Sequence, residues 1–323
     1  MASTLLQQIS VDDLGSDEFI SCFNPERMGN AQNIGYGGCT LGVAIQAACH
    51  TVPSSHFLYS ATGNYLGPSL TDRKLRCSVQ RVRDTRTFAT RLVRLSQEQD
   101  DGSTRLCMII LADFQTKEDA SLLVYSAPPD KSYSPPEQCP SRMEATEEMV
   151  RSGTVSRKMA DIYEVTFGLL ERFVECRGAP EGVASNKLLG VAKKAATPQD
   201  GDALTSKTSG DWFRCRHPLR KQQDHYAALG FILDGALSFM PLTHSDMFLD
   251  DAGACSSLDF ALRFFTNSLN LDQWHLREIK TVTGGEGRTY TEARLWDEEG
   301  NMVASMTQQS ILRPPRLTVR AAL

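Results

Sequence analysis

The stretch FILDGALSFMPL, Phe231–Leu242, is an apolar run with one acid, Asp234, in its interior. Placed on a helix at about 100° per residue, Leu229, Ile232, Leu233, Ala236, Phe239 and Met240 gather on one face. Asp234 falls on the opposite side, with Gly230 and Ser238 one turn away on either hand. Two readings stand at this point. An amphipathic helix can carry an acid on its wet face. A carboxylate set among small residues can instead face a site with room for a substrate.

The totals narrow the field. The chain has 323 residues, which suits about two domains. Hydrophobic content of 41% and charged content of 23% fit a globular protein with a sizeable core. A net charge of −5 speaks against a nucleic-acid surface. No apolar run reaches the ~20 residues that span a bilayer. The acidic start MASTLLQQISVDDLGSDEF lacks the basic and apolar regions of a secretory signal. Nine cysteines without a CxxC pair read as reduced thiols, which makes the cytoplasm the default compartment. His217, His225 and His244 lack ligand spacing on any one element, so neither metal nor cofactor is expected.

Along the chain, residues 1–30 read as an acidic lead-in helix and a loop. Gly35, Gly37 and Gly38 then open a helix over about Cys39–His50. They match neither GxGxxG after a strand nor GxxxxGK[ST], and close backbone packing explains them better than a phosphate. Strands are predicted at Phe57–Leu66, Lys74–Arg81, Thr87–Gln97 and Arg105–Gln115, the last two joined by the turn QDDGS. Ala127–Pro140 holds five prolines and reads as an exposed linker. Met143–Met159 reads as partly helical, Tyr163–Arg177 as strand, and 188–212 as partly a mobile loop. The opening order then returns: a helix over Gln223–Met240, then strands at Ser257–Thr266, Gln273–Thr283, Arg288–Trp296 and Met302–Arg313. A helix followed by antiparallel strands, twice over, implies an α+β chain of two similar domains.

The segments GYGGCTLGVAIQAACHTVP, VQRVRDTRTFATRLVRLSQ and LADFQ resemble the N-terminal half of the type II acyl-CoA thioesterases. ILDGALSFMP, SSLDFALRFF, LDQWHLREIKT and NMVASMTQQSILR resemble their C-terminal half. The likeness covers about residues 30–116 and 220–313. It implies a double hotdog: two tandem units, each a central helix wrapped by a curved antiparallel sheet. The expected division is an N-terminal hotdog at 1–125, a Pro-rich linker at 126–160, and a C-terminal hotdog at 161–317.

The resemblance also implies hydrolysis of an acyl-CoA or related thioester by a held water. Carried over by motif, the catalytic acid falls on Asp234, the hydroxyl on Ser257 and the amide on Gln308, with Ser256 and Gln309 as register alternatives. The residue types suit the work. An ionised Asp can orient or deprotonate water, and an amide can donate and accept at once. Asp259 is a rival acid, placed by strand alternation on the face of Ser257 and read as structural. The chain departs from the family at Gln309, where an acid often stands. That departure, with the long middle region, motivates the alternatives of a biosynthetic enzyme for a specialised acyl or polyketide thioester or other ligand, or a non-catalytic acyl-binding protein. The C-terminal RAAL lacks the basic residue of an SKL-type address, yet family relatives keep the peroxisome in view. Exposed sheet edges point to homo-oligomerisation.

Overall fold

The computed structural model describes residues 1–30 and 32–315. The RAAL sequence weighed above lies outside the described residues. Helix α1 (Leu5–Ile9) is capped by Thr4, and the acidic stretch after it forms a hairpin, β1 (Val11–Gly15) and β2 (Glu18–Ser21), rather than the expected loop. Helix α2 (Gly37–His50) precedes β3 (His56–Tyr65), β4 (Arg76–Asp84), β5 (Phe88–Glu98) and β6 (Thr104–Thr116). After the middle region come α3 (Arg142–Arg151), α4 (Arg157–Phe173), β7 (Val174–Gly178), α5 (Val183–Asn186) and β8 (Thr208–Cys215). The second half closes with α6 (Gln222–Leu233), α7 (Met240–His244), β9 (Ala254–Phe264), β10 (His275–Gly285), β11 (Arg288–Trp296) and β12 (Met302–Arg313).

The twelve strands form one sheet in the order β1-β2-β4-β5-β6-β3-β9-β12-β11-β10-β8-β7. Its centre is the antiparallel seam of β3 on β9, where Ala61 pairs with Leu262 and Gly63 with Phe260. The sheet curls round α2 on one side and α6 on the other, the double-hotdog arrangement that the resemblance implies. The two helices lie antiparallel against each other. Gly38 allows this, since a Cβ there would stand 2.4 Å from the Phe231 carbonyl, and Gly230 leaves space for Ile45. Gly230 therefore serves helix packing, not substrate room.

Three expectations change. Tyr163–Arg177 is mostly the helix α4 and not a strand. Ser156 caps it, and Ala160, Tyr163, Phe167 and Leu170 bury one face at helical spacing. Its Thr, Val and aromatic content mimics a strand, but the period of burial is near 3.6. The linker Ala127–Pro140 is anchored to the sheet's outer face. The Trp296 indole donates to the Ala127 carbonyl, the Trp212 indole to the Ser134 carbonyl, and the Tyr133 hydroxyl to Glu278. The region 188–212 is pinned by buried Lys187, whose ammonium meets the Lys193 and Ala195 carbonyls, and by Gln199, which bonds Thr208 on β8.

At the end of α7, His244 is fully buried between Ser209 at 2.8 Å and Thr281 at 3.1 Å, with its carbonyl accepting from Lys207. Burial, helped by the Lys207 charge, lowers its pKa from 6.5 to about 3. The unfolded chain then takes the proton first, so this group's contribution to stability is lost as pH falls from about 6.5 towards about 3. The expected outcome is a urea midpoint that drops over this window. His244→Gln flattens that part of the slope in the same titration.

Candidate active site

The long helix expected over Gln223–Met240 stops at Leu233, and Asp234 is its C-cap. The chain turns there through Gly235 and Ala236, the latter at φ +81°, a backbone state costly for a side-chain-bearing residue. Apolar periodicity carries no sign of the break, because the residues beyond it are also buried. Two groups hold the helix end. The Tyr36 hydroxyl donates to the Phe231 carbonyl at 2.6 Å. Buried Arg277 on β10 donates to the Ile232 and Gly235 carbonyls at 3.3 and 3.2 Å and forks onto Asp211 at 2.9 Å. The last turn of α6, and with it the direction of the Asp234 side chain, is thus fixed from both sides.

The Asp234 carboxylate is buried, and Oδ1 accepts from the Gln308 amide at 2.8 Å and the Tyr65 hydroxyl at 2.7 Å. The Gly38 N–H at the start of α2 also bonds to it. Oδ2 stands 2.7 Å from the place a Cβ would take at Gly37, so only glycine fits there undisturbed. Burial raises the carboxyl above its ordinary pKa, while Tyr65, Gln308 and Gly38 pull it back in part. An acid tuned upward in this way is a better base when ionised.

Gln308, and not its neighbour Gln309, points inward; it is fully buried, while Gln309 is partly exposed. Ser257 is partly buried on β9 opposite Ser310, whose hydroxyl reaches Gln308 Oε1 at 3.4 Å. No hydrogen bond joins Ser257 to Asp234 or Gln308 among the described residues. By register Ser257 shares the face of Ser310 and Gln308, whereas Ser256 is exposed and pairs with Ile311. Asp259 does not share that face. Leu258 is an extra residue in the ladder, so Asp259 pairs with Gln309 and accepts its backbone N–H at 3.2 Å. The bulge overturns the simple alternation and re-aims the hydroxyl.

Sequence reasoning missed Tyr65, Tyr36 and Arg277. A tyrosine closing a strand and an arginine inside one carry no local signal. Their roles come from the docking of one half on the other. The glycines did signal close packing, and the object packed against Gly37 is the carboxylate.

A mainly apolar cavity of about 310 Å³ is lined by Ala236, Met240, Ile279 and Arg277; Ala236 brings it within two residues of Asp234, but Asp234, Ser257 and Gln308 are not on its walls. Its other walls come from α3, α4 and α5, among them Met149, Tyr163 and Ala184.

Comparison with known proteins agrees with this fold. A model described as the acyl-CoA thioesterase N-terminal domain matches residues 24–115, and the corresponding C-terminal domain matches 171–312. "Acyl-CoA thioesterase 2" of Haemophilus influenzae is 21% identical over 294 residues, covering 88% of this chain and 91% of its own. The crystal structure of an acyl-CoA thioesterase II from Mycobacterium marinum superposes with a TM-score of 0.68 at 20% identity, covering 96% of this chain and 97% of that one. A putative thioesterase II from Thermobifida fusca gives 0.67 at 14%, covering 97% and 99%. These two structures share the fold.

The clamp on the helix end makes a measurable demand on stability. Arg277→Met leaves Asp211 and two carbonyls without their buried partner. The expected loss is about 3–5 kcal/mol, read from urea unfolding against the parent protein.

Proposed function

The chain belongs to the acyl-CoA thioesterase family, and from that premise we propose that it hydrolyses acyl-CoA to the free acid and CoA with a water held by Asp234, Ser257 and Gln308. The observation that carries the reading is the buried bond from Gln308 to Asp234, which joins the end of α6 to β12. Ser257 lies on the same face by register, opposite Ser310 and so two residues along β12 from Gln308, where its hydroxyl can donate to a water or accept from it.

In this mechanism Asp234 takes a proton from the water as the water oxygen bonds to the thioester carbonyl carbon. The tetrahedral oxyanion collapses, the C–S bond breaks, and the sulfur leaves with the proton that Asp234 returns. No side chain becomes a covalent intermediate. The start of α2, which already offers the Gly38 N–H to the carboxylate, is the nearest source of backbone donors for the oxyanion. The acyl chain takes the apolar cavity beside Ala236. At about 310 Å³ that cavity is near the small end of ligand sites, roughly 300–1,000 Å³. The specialised-ligand and non-catalytic alternatives gain no support from the comparisons. The cytoplasm remains the compartment we propose, in keeping with nine free thiols. No helix among the described residues is long and apolar enough to cross a membrane.

The test is a panel of acyl-CoAs of increasing chain length, with released CoA read by a thiol reagent. Asp234→Asn keeps an acceptor for Tyr65 and Gln308 but removes the base. Turnover is expected to fall about 10²–10⁴-fold while the melting temperature holds or rises. Full activity in that variant overturns the proposal. Ala184→Phe, which fills the cavity, is expected to move the kcat/KM optimum to shorter chains. An unchanged optimum would put the chain elsewhere.

A further inference from the structure

We propose that Tyr65 is a positioning residue for the catalytic carboxylate: with Gln308 it engages Oδ1 of Asp234 and leaves Oδ2 as the oxygen that receives the proton of water. This rests on the thioesterase reading above and assigns a part in it to the N-terminal half of the chain. The two donors arrive from opposite halves, Tyr65 at the end of β3 and Gln308 in the middle of β12, at 2.7 and 2.8 Å. The Tyr65 ring packs on Phe260 with centroids 5.6 Å apart, so packing sets the place of its hydroxyl. Oδ2 faces Gly37, and a Cβ there would stand 2.7 Å from Oδ2 and 3.2 Å from the Tyr65 hydroxyl, so a side chain at that position would cover the oxygen that Tyr65 and Gln308 leave. A carboxylate bonded twice through one oxygen cannot swap its oxygens freely, so its basic lone pairs keep one direction.

The neighbours allow only one group to titrate in the working range. Tyr65 is held well above its ordinary pKa by burial and by the Asp234 charge, so it remains a donor. Tyr36, which caps α6, is raised by the same two causes. Cys39 on α2 is pushed up to about 12, mainly by burial, and stays a neutral thiol. Arg277 on β10 is committed to Asp211. Gln308 does not ionise. The acid limb of the pH–rate profile therefore reports Asp234, and loss of a donor to its charged form moves that limb to higher pH.

Tyr65→Phe keeps the ring on Phe260 and removes the hydroxyl. With the best acyl-CoA of the panel, kcat at neutral pH is expected to fall about 10–100-fold, the rate equivalent of a hydrogen bond to a charged group, with KM within about twofold. The acid limb should move upward. A direct reading of the same shift is ¹³C NMR of the Asp234 carboxyl, compared between the parent and Tyr65→Phe across pH. A variant with parental kcat and limb, while Asp234→Asn is inactive, overturns the role of Tyr65 and leaves the thioesterase reading standing. If Asp234→Asn is fully active, that reading itself fails. Should Tyr65→Phe fold poorly, 3-fluorotyrosine at position 65 supplies a stronger donor and must move the limb downward. No movement refutes the proposal.

Discussion

A buried carboxylate facing the start of a buried helix is the constraint on which the site and the docking of the two halves depend. Removing a carboxylate from water costs several kcal/mol even after relaxation. Two hydrogen bonds to a charged group return about 1.5–3 kcal/mol each, and the N-terminal end of a helix adds up to about 2 kcal/mol. The balance is near even, which agrees with an Asp234 pKa that stays raised while three donors pull it down. The donors come from both halves: Tyr65 and Gly38 from the first, Gln308 from the second. Neither half alone supplies all these donors, so the helix contact and the β3–β9 seam are conditions for the charged site as well as for the fold.

The end of α2 shows what the same architecture does without an acid. Its C-cap is Thr51, where α6 has Asp234. Buried Arg91 on β5 donates to the Thr51 hydroxyl at 2.8 Å and to its carbonyl at 3.1 Å, and pairs with Asp84 at 2.6 Å. Each of the two central helices thus ends beneath a buried arginine that is bonded to an acid, Arg91 in the first half and Arg277 in the second. At α6 the arginine secures the backbone and leaves the side chain at the cap available. At α2 the arginine takes the cap side chain too, and that end is closed.

How much of this was legible followed from how local each signal is. The strands of both halves and the glycine-led helix are written in short-range patterns; Gln308 comes from the order of the resembling segments, with Gln309 as the register alternative until burial separates them. The stop at Leu233 was hidden because the chain stays apolar through Leu242, so burial on both sides of the turn imitates one long helix. The helix α4 was hidden because Tyr163, Val165 and Phe167 satisfy a strand's alternation as well as a helix's period; packing of Tyr163 and Phe167 on the core, with Val165 exposed, decides between them. The bulge at Leu258 is a property of a ladder, not of a strand. Tyr65 and Arg277 acquire meaning only from partners far along the chain, and a single sequence does not display partners.

The middle of the chain has a different part from its two flanks. Residues 116–170 lie between the two matched family segments. They contribute α3 and most of α4, and so Arg142, Met149 and Tyr163 on the cavity wall, while Asp234 and Gln308 come from the matched C-terminal segment. Their leading stretch is tied to the outer sheet face through Trp212, Leu276 and Trp296, which stand side by side across β8, β10 and β11. An anchor on the outside of the sheet and a wall on the inside belong to one continuous segment. Changes in this segment can therefore reshape the cavity without disturbing the carboxylate, because the clamps on Asp234 all come from elsewhere. Both stretches build the cavity: Arg142, Met149 and Tyr163 come from this segment, while Ala236, Arg277 and Ile279 come from the matched C-terminal segment that also carries Asp234 and Gln308.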